Sequence, residues 1–457
     1  MSKAMAIREG HLRSRDERGD YTVSVVGCGW TGLSTACLLA EAGFKVICVD
    51  KNRSVVNSIR RGISPLPESG LATLVREEVR RRNLTATSKP EEAIPSSDII
   101  ILAVPVTVDQ KKRPDYLNVE IACRDVGLNL QRGSLIIVQS ALCPGMTEGL
   151  IRSALETASG MKAGVDFGLA YSPVRISGGT IEDLRRYPRV LGAIDEDSLR
   201  VAREVLCTIS REGVVQVRSI KAAEAVRLFE SVYRDVNKAL SNELSHFCEV
   251  AGIDFIEVQR AINMHPRYRL LHPGIVDRRT STDSYLLIDE AEALGLKVRT
   301  VTLSRRVNDR VLMRVFYLVR DALRSCGKTA RRSRVLILGI SHSPNVKEAD
   351  ESVIRELIEI LERKGLTVKV FDPLFSYREV VQMGYPTERT LSGALKNMDC
   401  LVITVGHDKF KTLNLKRVRI LMRRKAAIVD LSHVMNPEEV EREGFIYRGL
   451  GRGVWTR

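Results

Sequence analysis

One stretch near the start of the chain constrains the fold more than any other. Val23-Ser24-Val25-Val26 runs into Gly27-Cys28-Gly29-Trp30-Thr31-Gly32, an apolar segment follows to Ala42, and Lys45-Val46-Ile47-Cys48-Val49-Asp50 closes the unit. A strand that turns through GxGxxG into a helix, then returns as a strand ending in an acid, is the βαβ unit of a dinucleotide-binding fold. Gly27 permits the tight turn, Gly29 lets backbone amides approach a pyrophosphate, and Gly32 lets the helix pack closely with its N-terminal dipole towards the phosphates. Asp50 would accept hydrogen bonds from the ribose hydroxyls and repel a 2′-phosphate, which favours NAD over NADP. Trp30, Thr31, Val104 and Pro105 complete the candidate cofactor contacts. The competing reading keeps the glycines for backbone reasons alone. It is the weaker one, because Asp50 has no equally good folding role in the sequence.

The rest of the chain repeats this alternation. Strands are expected at Asp98–Val104 and Ser134–Gln139, and a second start appears at Arg334-Val335-Leu336-Ile337-Leu338-Gly339-Ile340. A helix from Ser352 to Lys364 follows it, then strands Thr367–Asp372, Cys400–Val405 and Ala427–Asp430. Between residues 219 and 250, Val226, Phe229, Tyr233, Val236, Leu240, Leu244 and Phe247 recur every three to four positions, the signature of one long amphipathic helix. The expected class is therefore α/β, with two Rossmann-like doubly wound domains joined by a long central helix. The boundaries are a disordered, solvated tail over 1–20, an NAD-binding domain over 21–205, a central helical and dimerisation domain over 206–312, and a C-terminal Rossmann-like domain over 313–457.

Composition narrows the function classes. No apolar run reaches the length of a membrane span, and the first twenty residues carry mixed charge without an apolar core, so a cytoplasmic address without membrane insertion is expected. The nine cysteines lack CxxC or Cys/His spacing, which argues against a metal site or a disulfide framework. The net charge of +15 suits anionic ligands or nucleic acid. Its basic runs, Arg80-Arg81-Arg82, Arg331-Arg332 and Arg423-Arg424-Lys425, lie in different segments without interleaved aromatics, so solvated faces are expected rather than a nucleic-acid groove.

Several separate stretches together carry a family resemblance. They are Gly27–Leu33, Ser172-Pro173, Phe229–Asn237 with Asn242-Glu243, His265-Pro266-Arg267, Pro344-Asn345-Val346 and Gly444–Gly449. From Tyr21 to its end the chain resembles the UDP-glucose/GDP-mannose dehydrogenases, and within them the UDP-N-acetylmannosamine dehydrogenase branch. The resemblance implies an N-terminal NAD domain, a central helix that forms a homodimer, and a C-terminal domain that helps bind a UDP-sugar. It also implies two hydride transfers to NAD that take the sugar C6 alcohol to a carboxylate, with a cysteine holding the intermediate as thiohemiacetal and thioester.

Set against that pattern, the chain departs at the chemical positions. Arg279 stands at the catalytic cysteine, and a guanidinium is no nucleophile. Arg227 and Ser231 stand at the oxyanion-stabilising lysine and its asparagine, Val174 at a glutamate, and Ala141 at a threonine that holds a water. Asp283 keeps its family position, with two readings: a general base, or the cap of a helix ahead of Tyr285–Ile288. Cys143, beside Ala141, is a candidate replacement nucleophile against the commoner reading of a buried thiol. In the second domain Ser343, Asp350 and Ser432 replace cations expected to hold a diphosphate. His265 and Arg267 would contact an N-acetylated sugar or order their loop. Three functions follow: an NAD-binding homologue without turnover that regulates or scaffolds a pathway, with an active paralogue as an alternative partner; an active dehydrogenase with rewired residues; or a polyanion-binding protein.

Overall fold

The computed structural model describes residue 7 and residues 10–66, 69–109, 111–175, 180–341, 343–347, 349 and 351–455. The chain forms two compact units, Met1–Ser231 with Thr282–Lys297, and Val232–Ser281 with Val298–Arg457.

The first unit is built on β1 (Thr22–Val26), β2 (Lys45–Val49), β3 (Leu84–Thr87), β4 (Ile99–Leu102), β5 (Thr107–Val108), β6 (Pro114–Asp115), β7 (Leu135–Val138), β8 (Gly168–Tyr171), β9 (Arg189–Ala193) and β10 (Val214–Gln216). Eight of them form one sheet in the order β10-β9-β8-β7-β4-β1-β2-β3, while β5 and β6 pair as a small ribbon. Reading from β3 to β8, this is the 3-2-1-4-5-6 order of a dinucleotide-binding sheet. Within the eight-stranded sheet every pair is parallel except β8 with β9, and the β5–β6 ribbon is antiparallel. Ile99, Ile100 and Ile101 are all fully buried, which is why β4 reads as a continuous apolar run rather than an alternating one. Within the segment expected to be a solvated tail, Ile7 and Leu12 are buried with the core of this unit, and Arg15–Arg18 forms a capped turn.

The second unit carries β11 (Arg334–Leu338), β12 (Thr367–Phe371), β13 (Cys400–Ile403), β14 (Ala427–Asp430) and β15 (Ile446–Gly449). They form an all-parallel sheet in the order β12-β11-β13-β14-β15, the other common doubly wound arrangement. In both sheets the strand order reverses beside the first strand, between β1 and β4 and between β11 and β13. Such switch points open a crevice at the carboxyl ends of the strands.

The central helix runs from Ile220 to Ala251, 32 residues, or about 48 Å at the helical rise. Its buried side is lined by small and polar residues as well as apolar ones, among them Ala223, Leu228, Ala239, Ser241 and Ser245. The apolar repeat legible in the sequence is instead largely exposed, with Phe229 at 55%, Tyr233 at 72% and Phe247 at 65%. No helix among the described residues is long and apolar enough to cross a membrane.

Candidate active site

The loop after β1 owes its shape to close backbone packing. Gly27 has φ +94, and a Cβ there would lie 2.7 Å from the Ala103 carbonyl oxygen. At Gly32 a Cβ would lie 1.8 Å from the Gly27 carbonyl oxygen, so the helix Trp30–Ala42 packs as closely as it does only without a side chain. Gly29 is different: nothing lies within 4 Å of its absent Cβ. It caps the helix with extended backbone and no side-chain acceptor, and open space lies where its side chain would stand. Such a cradle fits a pyrophosphate. Trp30 is buried, Thr31 and Val104 are half-buried and Pro105 is exposed, and Val104 sits beside Gly27 at the switch point.

Asp50 ends β2 facing this loop, but it is not idle in the fold. Its carboxylate accepts the Cys28 amide at 2.8 Å and the Asn52 amide at 2.8 Å. The expectation that Asp50 lacks a good folding role is thereby corrected. It ties the glycine loop to β2 and, with lone pairs left on both oxygens, can still accept from a ribose. The second unit repeats the device: Asp372 accepts the amides of Ile340 (2.8 Å) and Ser341 (3.2 Å). There, however, the Ser341 hydroxyl (3.0 Å) and His407 Nε2 (3.1 Å) also crowd the same oxygen, and the acid is fully buried.

The residues at the chemical positions of the first unit are brought together, in a particular way. Arg227 and Ser231 share one face of the central helix, four residues apart, and Asp283 approaches them from the helix Arg278–Ala293. Arg227 Nη1 donates to Ser231 Oγ at 2.6 Å, Ser231 Oγ donates to Asp283 Oδ2 at 2.5 Å, and Arg227 Nη2 lies 3.2 Å from the same oxygen. All three are buried, at 9%, 1% and 2% exposure. One carboxylate oxygen is therefore committed to a guanidinium and a hydroxyl. The capping reading of Asp283 is corrected: its helix already begins at Arg278, where Asp277 accepts the Thr280 amide at 2.9 Å, and Asp283 lies within it. Arg279 is in the first turn of that helix, and its side chain lies outside the described residues, as does Asp350.

Val174 is buried in the apolar core of the unit, and Ala141 is half-buried after β7. Cys143 is 1% exposed; its thiol donates to the Leu286 carbonyl at 3.1 Å and accepts from Tyr116 at 3.5 Å. Burial pushes its pKa up to about 12, so the nucleophile reading is corrected to that of an inert buried thiol. Two anchors escaped sequence reasoning. Arg175 clamps Glu230 through Nε at 2.9 Å, fixing the Ser172–Arg175 loop to the central helix. Buried Glu224 accepts the Thr147 amide at 2.8 Å and hydroxyl at 2.6 Å. Neither pairing has a sequence signal beyond an acid on a helix.

The second unit holds a cavity of about 630 Å³ at its switch point, bordered by Ser341, Thr404, Gly406, Ser343 and Ser432. Two of the positions where cations were expected therefore face it as serines. Three cations still line it, Arg234, Lys238 and Lys411, of which Lys411 is paired with Asp408 at 2.8 Å. Lys238 donates to the His272 carbonyl at 2.6 Å, and burial pulls its pKa down to about 8. Asn242 fixes the adjoining turn by exchanging hydrogen bonds with Gly274 at 3.0 and 2.7 Å. His265 and Arg267 are exposed and do not line this cavity; His265 Nδ1 accepts the Arg267 amide at 3.3 Å, an ordering contact within the loop. No group of acids, histidines or cysteines among the described residues is arranged to hold a metal ion.

At the rim of the cavity His433 has φ +55 and donates Nε2–H to the Leu450 carbonyl at 2.8 Å. Burial, aided by the charge of Arg452, lowers its pKa from 6.5 to about 3. The fold thus accepts the neutral ring, so stability present above pH 6.5 is lost as the pH falls towards 3. At pH 5 the loss attributable to this half-buried ring is about 1–2 kcal/mol. Urea unfolding of wild type and His433→Gln at pH 8 and pH 5 should show the variant losing less on acidification by that amount. Parallel losses would contradict the assignment.

A glycine-loop cradle with an acid on the second strand, joined through a long helix to a second α/β unit with its own crevice, defines the architecture of a two-domain NAD-dependent dehydrogenase. Comparison with known proteins places it more narrowly. Residues 21–210 match the NAD binding domain of the UDP-glucose/GDP-mannose dehydrogenase family, residues 221–310 its central domain, and residues 336–437 its UDP binding domain. The chain belongs to that family, and NAD is the cofactor of its first unit. It is 32% identical over 408 residues to the UDP-N-acetyl-D-mannosamine dehydrogenase of Escherichia coli (strain K12), covering 86% of this chain and 95% of that one. It is 31% identical over 441 residues to the enzyme of the same name from Methanocaldococcus jannaschii, covering 94% and 96%. Among solved structures it resembles the UDP-D-ManNAc dehydrogenase of Pyrococcus horikoshii, with a TM-score of 0.85, 26% identity and coverage of 95% of this chain and all of the other.

Proposed function

We propose that this chain is an NAD-binding member of the family, derived from the UDP-N-acetylmannosamine dehydrogenase branch, that does not carry out the two-step alcohol oxidation. The observation that carries this reading is the buried Arg227–Ser231–Asp283 cluster. When bound, NAD supplies the hydride acceptor; the chain itself must supply a base and a nucleophile. Asp283 is the retained acid, and its Oδ2 is already occupied by the Arg227 guanidinium and the Ser231 hydroxyl. Arg227 keeps a positive charge but cannot donate a proton near neutrality. Ala141, Val174 and Cys143 offer no replacement acid, base or thiolate.

The second unit fits a weakened UDP-sugar site, since serines border its crevice where diphosphate-binding cations were expected. A homodimer through the central helix is supported by its exposed aromatic stripe, because contiguous exposed apolar surface marks an interaction site. The role that follows is regulatory or structural, in a pathway that handles sugar nucleotides. Calorimetric titration should give saturable NAD binding, weakened by Asp50→Ala, with no steady-state NADH when UDP-N-acetylmannosamine or UDP-glucose is added. Steady NADH formation with either sugar nucleotide would replace this reading with that of an active, rewired dehydrogenase.

A further inference from the structure

Two of the basic runs that are far apart in the sequence meet in the folded second unit. Arg331-Arg332 precede β11 and Arg423-Arg424 precede β14, and together with Lys328 they border a single open cavity of about 340 Å³. It lies at the amino ends of the strands. The crevice bordered by Ser341, Gly406 and Ser432 lies at the carboxyl ends, on the opposite edge of the sheet.

The cavity has a fixed floor. Asp399, 1% exposed, accepts the Arg334 amide at 2.9 Å and draws in Lys328 at 2.8 Å and Arg423 at 3.3 Å. One buried carboxylate therefore pins both basic segments to the same spot. Five cations surround that single acid, so four positive charges remain uncompensated by it. Arg331, Arg332 and Arg424 are exposed and make no ion pair with an acid among the described residues. Two neighbouring basic residues, Arg332 (φ +74) and Lys425 (φ +54), are held in left-handed backbone, which side chains other than glycine adopt at a cost.

Like charges gathered at one cavity repel unless a counter-charge enters, and guanidinium groups match phosphate oxygens in a bidentate fork. The volume suits several linked phosphates rather than a macromolecular groove, and no exposed aromatic borders it for base stacking. We infer that the amino edge of the second sheet is a binding site for an oligophosphate, the polyphosphate part of a small nucleotide or an inorganic chain, separate from the crevice at the carboxyl edge. Arg331, Arg332 and Arg424 grip the anion, while Lys328 and Arg423, oriented by Asp399, line its floor.

The test is calorimetric titration of the full chain with inorganic triphosphate at low ionic strength. Saturable binding is expected, weakened at least about tenfold in the Arg331→Gln/Arg332→Gln/Arg424→Gln variant, the equivalent of about 1.4 kcal/mol. NAD affinity and thermal midpoint should stay unchanged in that variant. A control variant with the same change in charge elsewhere, Arg80→Gln/Arg203→Gln/Lys416→Gln, should bind triphosphate as wild type does. Absence of saturable binding, or an equal loss in both variants, would overturn the site. So would affinity found only for single-stranded RNA and rising with its length, which would assign the surface to nucleic acid.

Discussion

Replacing Arg227 with alanine is expected to destabilise the first unit by about 3–5 kcal/mol, because it removes the guanidinium that faces the buried Asp283 carboxylate. The size of the effect comes from the asymmetry of a buried pair. Breaking one partner costs far more than removing both, since the residual charge loses its counter-ion but not its low-dielectric surroundings. The double variant Arg227→Met/Asp283→Leu should therefore recover most of the loss. Chemical unfolding of wild type, single and double variants checks this. Additive losses in the double variant would mean that the two side chains are not energetically coupled, and the locked-site account would fail with them.

The second large effect concerns the cofactor loop, where Gly29 and Gly32 give opposite expectations for the fold. A methyl group at Gly32 would meet the Gly27 carbonyl at 1.8 Å, a backbone contact that can be relieved only by moving the helix away from the loop. Overpacking of this kind costs about 3 kcal/mol at the upper end of its usual range, so Gly32→Ala should lower stability by about that amount and, because the helix must move off the loop, weaken NAD as well. Gly29→Ala meets nothing within 4 Å and asks for backbone that any residue adopts (φ −66, ψ −174). It should leave stability unchanged while occupying the open space where the pyrophosphate approaches. Thermal unfolding and NAD titration of the two variants separate the cases. If Gly29→Ala bound NAD as tightly as wild type, the phosphate would lie elsewhere.

The contrast between what was legible and what was not follows the range of the interactions. GxGxxG between strand and helix, with Asp50 on the next strand, is a local pattern, and its consequences follow from covalent geometry and packing. That Asp50 also receives the Cys28 amide depends on how β1 and β2 lie side by side, which no spacing reports. Arg227 and Ser231 were readable as neighbours from their separation of four on a helix. Their third partner, Asp283, lies 52 residues beyond Ser231 and is delivered by another helix. That helix begins earlier than expected because Asp277 caps it, a signal hidden while the segment was read as a degenerate loop.

The apolar repeat of the central helix correctly indicated a long helix, but periodicity marks a stripe without saying what covers it. Phe229, Tyr233 and Phe247 are exposed in the single chain. Basic runs were equally ambiguous. Arg331-Arg332 and Arg423-Arg424 looked like separate solvated faces until β11, β13 and β14 aligned their amino ends around Asp399. In each case the residue type was visible and the juxtaposition was not.

The central claim, that the chain binds NAD without oxidising a sugar nucleotide, is tested most directly by a single-turnover measurement. Protein at concentrations well above its NAD dissociation constant is mixed with NAD and UDP-N-acetylmannosamine, and NADH absorbance is followed to long times. No burst is predicted, because the first hydride transfer already requires a base that the Arg227–Ser231–Asp283 cluster does not free. A burst of even one NADH per chain would contradict the account and make Asp283 a working base.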